Sequence, residues 1–224
     1  MGSIIGVDEA GRGPVIGPMV IAGVRLPSET ENEQLRALGV RDSKKCTPKR
    51  REYLSFEVRK RYEFTIKSIS AEQIDEDRKK QTLNELEGAW FAEVINRLKP
   101  DNDSTIIVDS ADANELTFKR YIESKIDIKC KIISEHKADE QYPVVAAASI
   151  VAKVERDAQI KRIAHELNVE LGSGYPTDPV TIHFLEKWIK EKGNLPPHTR
   201  HSWKTAQRLL DEHRKPIKKL DEFD

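Results

Sequence analysis

The chain has 224 residues, and its 38 Lys plus Arg balance 38 Asp plus Glu to a formal net charge of zero. That length suits one large domain with an appendage, and the zero charge excludes a whole-molecule pull toward polyanions, leaving local patches to bind nucleic acid. Two cysteines, Cys46 and Cys130, lack zinc-site spacing, and the most apolar run, 143–152, is about half the ~20 residues of a membrane span, so a reduced, soluble, cytoplasmic protein is expected.

In chain order, residues 3–9 read as a buried strand, and a glycine turn separates them from a second strand over 16–26. Asp42-Ser43-Lys44-Lys45 forms a polar loop with exposed cations, and Thr47-Pro48 caps and opens a helix across 48–60. Residues 61–69 alternate apolar and polar as a half-buried third strand. Ser70 caps a short helix over 71–78, and Leu83, Leu86, Trp90, Val94 and Leu98 stripe a longer helix that ends before Pro100. Strands over 105–108 and 126–133 follow, with a helical or turn segment between them.

Residues 144–167 predict one long helix whose Ala146-Ala147-Ala148 section allows close contact with the sheet. Gly172-Ser173-Gly174-Tyr175-Pro176 breaks that pattern, Asp178-Pro179 opens a helix to 192, 194–202 is a Pro/His-rich loop, and 203–214 form a last helix. The expected class is α/β, with a core over 1–170, a helical segment packed on it over 171–214 and a tail over 215–224. No internal repeat is present.

Chemistry concentrates at strand ends. Asp8-Glu9 follows Ile4-Ile5-Gly6-Val7, and Asp109 follows Thr105-Ile106-Ile107-Val108, so two buried strands deliver acids where carboxylates are costly unless paired or metal-bound. Asp139 stands just before the long helix and can fold back over the same sheet end. Taken singly, Asp109 or Asp139 is also explained as a turn-former. Together, hard oxygen ligands without Cys or an organised His set suit Mg²⁺ or Mn²⁺, and two such ions about 3.5–4 Å apart would serve metal-assisted phosphodiester hydrolysis. Gly11 and Gly13 let backbone N–H groups approach a phosphate or sugar, and Arg12 adds a planar cation. The missing Gly-Lys-Ser/Thr ending excludes a nucleotide-binding phosphate loop. A non-catalytic nucleic-acid-binding module is disfavoured, because clustered acids would repel phosphates. Another nuclease or resolvase on the same fold stays open. No histidine is assigned as a base.

The ordered series Asp8-Glu9-Ala10-Gly11-Arg12-Gly13-Pro14, Asp42-Ser43-Lys44-Lys45, Val108-Asp109, His136-Lys137-Ala138-Asp139, Ala147-Ala148-Ser149-Ile150-Val151-Ala152-Lys153 and Gly172-Ser173-Gly174-Tyr175-Pro176 resembles type 2 ribonuclease H, ribonuclease HII, of an archaeal kind. The resemblance implies a ribonuclease H-like fold with a mixed five-stranded sheet. It also implies hydrolysis of the RNA strand of RNA/DNA hybrids, and incision at ribonucleotides embedded in duplex DNA. Two metal ions would give 3′-hydroxyl and 5′-phosphate ends. Asp8, Glu9, Asp109 and Asp139 resemble the family's metal-binding acids. Gly11-Arg12-Gly13 resembles the element that reads the 2′-hydroxyl, and Tyr175 the tyrosine that stacks at the RNA-to-DNA junction. Lys44, Lys45, Lys153 and Arg200 are expected on flanking phosphates, with Ser149 on the same helical face as Lys153. Solvated surface is the alternative for each cation, and loop capping for Tyr175. Ile217, Leu220 and Phe223, at three-residue spacing, resemble a degenerate sliding-clamp peptide on an otherwise monomeric enzyme, with a tail that folds back on its own domain as the alternative.

Overall fold

The computed structural model describes residues 2–40 and 46–214; Lys44, Lys45 and the 215–224 tail lie outside them. Five strands, β1 (Ile4–Ala10), β2 (Met19–Leu26), β3 (Glu63–Ile69), β4 (Thr105–Asp109) and β5 (Lys131–Glu135), form one sheet in the order β3-β2-β1-β4-β5. The β1–β2 and β2–β3 pairs are antiparallel, and the β1–β4 and β4–β5 pairs parallel, so the sheet is mixed with β1 at its centre. Strands inside the sheet are covered on both faces, which is why Ile4, Ile5 and Val7 of β1 and Val20 and Ile21 of β2 are all buried.

The helices are α1 (Glu31–Leu38), α2 (Pro48–Arg61), α3 (Ala71–Asp77), α4 (Leu83–Arg97), α5 (Glu115–Glu123), α6 (Ala138–Gln141), α7 (Pro143–Leu167), α8 (Pro179–Lys192) and α9 (Lys204–Arg214). Ile4, Val20, Ala22 and Val24 bury one sheet face against residues 144–152 of α7, with Leu35 and Leu54 behind. Ile5, Val7 and Ile21 bury the other face against Trp90, Phe91, Val94, Phe118 and Ile122 of α4 and α5. A third cluster gathers Val15 and Ile16 with Ile160 and Ile163 of α7 and Phe184, Leu185 and Leu209 of α8 and α9. The segment after Leu171 is therefore packed on the far end of α7 and on the β1–β2 turn.

Gly6 sets how closely α7 lies on β1. A Cβ at this position would stand 2.5 Å from the Val144 carbonyl, so only glycine admits the helix's first turn. The alanine run that follows keeps the same close approach along the helix.

Three sequence expectations are corrected. The second strand begins at Met19 and not at 16, because Gly17 has φ +95° and Ile16 makes only an isolated bridge to Thr199. β5 begins at Lys131 and not at 126; Ile126 and Cys130 pack beneath the sheet without pairing. Helices α1 and α6 were not anticipated: α1 buries only Leu35, too little for an apolar stripe, and α6 spans a single turn. No helix of the described residues is long and apolar enough to cross a membrane.

Candidate active site

The parallel register of β1 and β4 puts Val7 opposite Val108, so the next residue of each strand, Asp8 and Asp109, comes at the same end of the β1–β4 pairing. Side chains alternate along β1. Gly6 faces α7, so Asp8 does too, and Val7 faces α4, so Glu9 does too. Asp8, only 4% exposed, accepts a hydrogen bond from Ser149, whose Oγ in turn accepts from Lys153 Nζ at 2.7 Å. Ser149 and Lys153 lie one turn apart on α7 and thus share the face toward Asp8.

Asp109 Oδ1 accepts the backbone N–H of Ala138 at 3.0 Å, which ties the start of α6 to the end of β4. Asp139, the next residue, is buried in the first turn of α6. The four predicted acids therefore occupy one end of the sheet, delivered by β1, β4 and α6.

The electrostatics are those of a buried, crowded set of acids. Burial first, then Glu9 and Asp109, raise the Asp8 pKa well above the ordinary aspartate value; Ser149 and Lys153 only partly oppose them. Burial, Glu87 and Asp109 push Glu9 up to about 7. Glu9 Oε2 is buried and lacks a hydrogen-bond partner. Among the described residues no three acids, histidines or cysteines are drawn together tightly enough to hold an ion as they stand. The donor set is all hard oxygen, and an orphaned carboxylate oxygen with raised neighbouring pKa values fits a divalent cation of the Mg²⁺ or Mn²⁺ kind.

Gly11-Arg12-Gly13 lies beside these acids. Gly11 adopts φ +90°, and a Cβ there would meet the Pro18 carbonyl at 2.7 Å. Arg12 is turned inward: it donates to Asn84 Oδ1 and to the Ala111 carbonyl, each at 2.6 Å, and forms an ion pair with the fully buried Glu87. Its cation thus anchors the turn to α4. Gly13 is exposed, and a Cβ on it would touch the Tyr175 ring at 3.4 Å. Tyr175, 37% exposed, carries Arg156 over its ring at 5.0 Å. Gly174, just before it, accepts the Val15 N–H at 2.9 Å, so the tyrosine loop and the glycine turn are stitched together.

Arg200 is corrected. It was expected on a substrate phosphate, yet it is fully buried. Its Nε, Nη1 and Nη2 donate to the carbonyls of Gly17, Arg12 and Gly11 at 3.1, 2.9 and 2.6 Å. Buried in this way, the guanidinium offers no exposed surface to a substrate phosphate.

Two participants were missed. Glu87, whose pKa burial raises to about 8 against the pull of Arg12 and Arg200, stands four residues after Leu83 and three before Trp90. That spacing sets it on the apolar stripe of α4, and a charged residue there was the available signal. Arg156, held by the Ser173 carbonyl and stacked on Tyr175, carried none.

A family model described as Ribonuclease HII matches residues 5–206. Ribonuclease HII of Methanococcoides burtonii is 45% identical over 214 residues, spanning 92% of this chain and 99% of that protein. The crystal structure of ribonuclease H2 from Pyrococcus horikoshii superposes with a TM-score of 0.86 at 41% identity, covering 95% of this chain and 99% of that one. Ribonuclease HII of Archaeoglobus fulgidus, solved as a PCNA:RNase HII complex, gives 0.83 at 42% identity and covers 98% of this chain and 100% of its own. The chain belongs to the ribonuclease HII family and is an endoribonuclease acting on the RNA of RNA/DNA hybrids.

Proposed function

We propose that this enzyme, besides cutting hybrids, incises duplex DNA at single embedded ribonucleotides, leaving 3′-hydroxyl and 5′-phosphate ends. The observation that supports this most is the register of β1 on β4, which brings Asp8 beside Asp109 within reach of the Gly11-Arg12-Gly13 turn and Tyr175. Asp8, Glu9, Asp109 and Asp139 would hold two divalent ions, Mg²⁺ or Mn²⁺. When bound, the ions supply an activated water and neutralise charge on the leaving oxygen. Lys153, on the acids' side of α7, holds Ser149 against Asp8 and is available to a neighbouring phosphate. The small backbone of Gly11 and Gly13 admits a ribose, whose 2′-hydroxyl is the group that separates RNA from DNA. Tyr175 offers a ring face for stacking at the junction.

We divide the chain into a catalytic core over 1–170, a packed helical segment over 171–214 and a tail over 215–224, and infer a cytoplasmic monomer. A sliding clamp is the proposed partner, supported by the Archaeoglobus fulgidus complex. Ile217, Leu220 and Phe223 would be its anchors, and Leu220→Ala with Phe223→Ala should remove clamp binding at unchanged stability. Lys44 and Lys45 remain proposed phosphate contacts.

Cleavage of four duplexes, all-DNA, all-RNA, hybrid and single-ribonucleotide, with Mg²⁺ or Mn²⁺ tests the substrate. Cutting of the last two alone supports it. Cutting of all-DNA duplex, or none at the lone ribonucleotide, refutes it.

A further inference from the structure

We propose that Arg200 is a positioning residue for substrate discrimination, setting the two peptide groups of the glycine turn so that their N–H groups face the ribose. This rests on the reading that the turn recognises the 2′-hydroxyl.

A trans peptide is planar, and its C=O and N–H point in opposite directions. Arg200 Nη2 holds the Gly11 carbonyl at 2.6 Å, and Nη1 holds the Arg12 carbonyl at 2.9 Å, from the buried side. The N–H groups sharing those two planes are those of Arg12 and Gly13. They must therefore point away from Arg200, toward the exposed side on which Gly13 and the Tyr175 ring lie. Neither N–H donates to a backbone carbonyl among the described residues. Two adjacent outward donors match a hydroxyl and its neighbouring phosphate oxygen, both acceptors.

Only a guanidinium can do this. The planar fork reaches both carbonyls while its Nε reaches Gly17 O at 3.1 Å, so one rigid group fixes three points of a turn that glycine leaves soft. The arginine is itself fixed. Its own N–H donates to Val15 O at 2.8 Å, and its guanidinium lies 4.8 Å from the Trp203 ring. On the other side Arg12 clamps the turn to α4 through Asn84 and Glu87, and to the segment after β4 through the Ala111 carbonyl. The turn is thus held from beneath by the C-terminal segment and from the flank by α4. Recognition of the ribose then depends on a segment that contributes no acid to the site.

Arg200→Lys keeps the charge but cannot hold both carbonyls. Equilibrium binding of matched duplexes, one all-deoxy and one with a single ribonucleotide, would be measured with Ca²⁺ in place of the catalytic ion, alongside thermal unfolding. In the wild type the single-ribonucleotide duplex should bind more tightly. In Arg200→Lys that preference should fall about ten- to a hundredfold, or to nothing, with all-deoxy affinity unchanged. A general loss of packing would weaken both duplexes alike, and that result overturns the proposal. A variant that retains the preference overturns it while leaving recognition by the turn intact. Absence of any preference in the wild type overturns both. Should Arg200→Lys not fold, the wild type alone decides through the ¹⁵N–¹H signals of Arg12 and Gly13. Both should shift with the ribonucleotide duplex and not with its all-deoxy match; identical shifts refute the proposal.

Discussion

Replacing Asp8 by Asn should stabilise the metal-free protein at pH 8 while abolishing cleavage. Glu9 titrates at 4.5 in the unfolded chain and near 7 in the fold, so the folded state keeps a proton that the unfolded chain has released across that window. Stability therefore falls as pH rises through it, and the loss is complete above it. At ~1.36 kcal/mol per pKa unit the cost for Glu9 is about 3 kcal/mol at pH 8. Asp8 is raised in the same sense by burial, Glu9 and Asp109. Asn removes that buried charge and its repulsion with Asp109, so we expect a gain of about 2 kcal/mol. For a chain of 224 residues that is a rise in Tm of about 4–8 °C. The gain should be smaller at pH 5, because lowering the pH lets the raised Asp8 carboxyl of the wild type take up a proton. Mg²⁺ should reverse the ranking, because an ion at a hundred times its Kd adds about 2.7 kcal/mol to the protein that binds it. Thermal unfolding at pH 5 and 8, with chelator or with Mg²⁺, reads all of this. A variant no more stable than wild type at pH 8 in chelator, or equally stabilised by Mg²⁺, would refute a shared repulsive cation site.

Asp109→Asn should abolish turnover with substrate affinity largely kept, checked by single-turnover cleavage beside duplex binding in Ca²⁺. Tyr175→Ala removes a stacking face worth about 1–3 kcal/mol, so incision at a lone ribonucleotide should fall about 5- to 150-fold with little change in Tm. Gly6→Ala forces a Cβ to within 2.5 Å of the Val144 carbonyl. It should cost about 1–3 kcal/mol by overpacking, seen as a lower denaturant midpoint, and should reduce activity by shifting Ser149 from Asp8.

How far these features could be read from the sequence follows from what each residue does. Strands β1 and β4 were legible because unbroken apolar runs ended abruptly in acids, and α7 because its alanine section fits only a close helix–sheet contact. The start of β5 was misplaced since Ile126 and Cys130 are partly buried by packing and not by pairing, and apolar spacing does not separate the two. Glu87 was legible in principle, lying on the stripe between Leu83 and Trp90. Arg200 was not: in a loop rich in Pro and His, an arginine bound for three carbonyls has the same local sequence as one bound for solvent. Its partners lie at positions 11, 12 and 17, and only the folded chain brings them near.

Everything here depends on acids from β1, β4 and α6 serving one cation site. Crystals of the enzyme soaked with Mn²⁺ and examined by anomalous scattering measure that directly. The account predicts density enclosed by Asp8, Glu9, Asp109 and Asp139. Active enzyme whose manganese binds elsewhere, with these four carboxylates left bare, would contradict it.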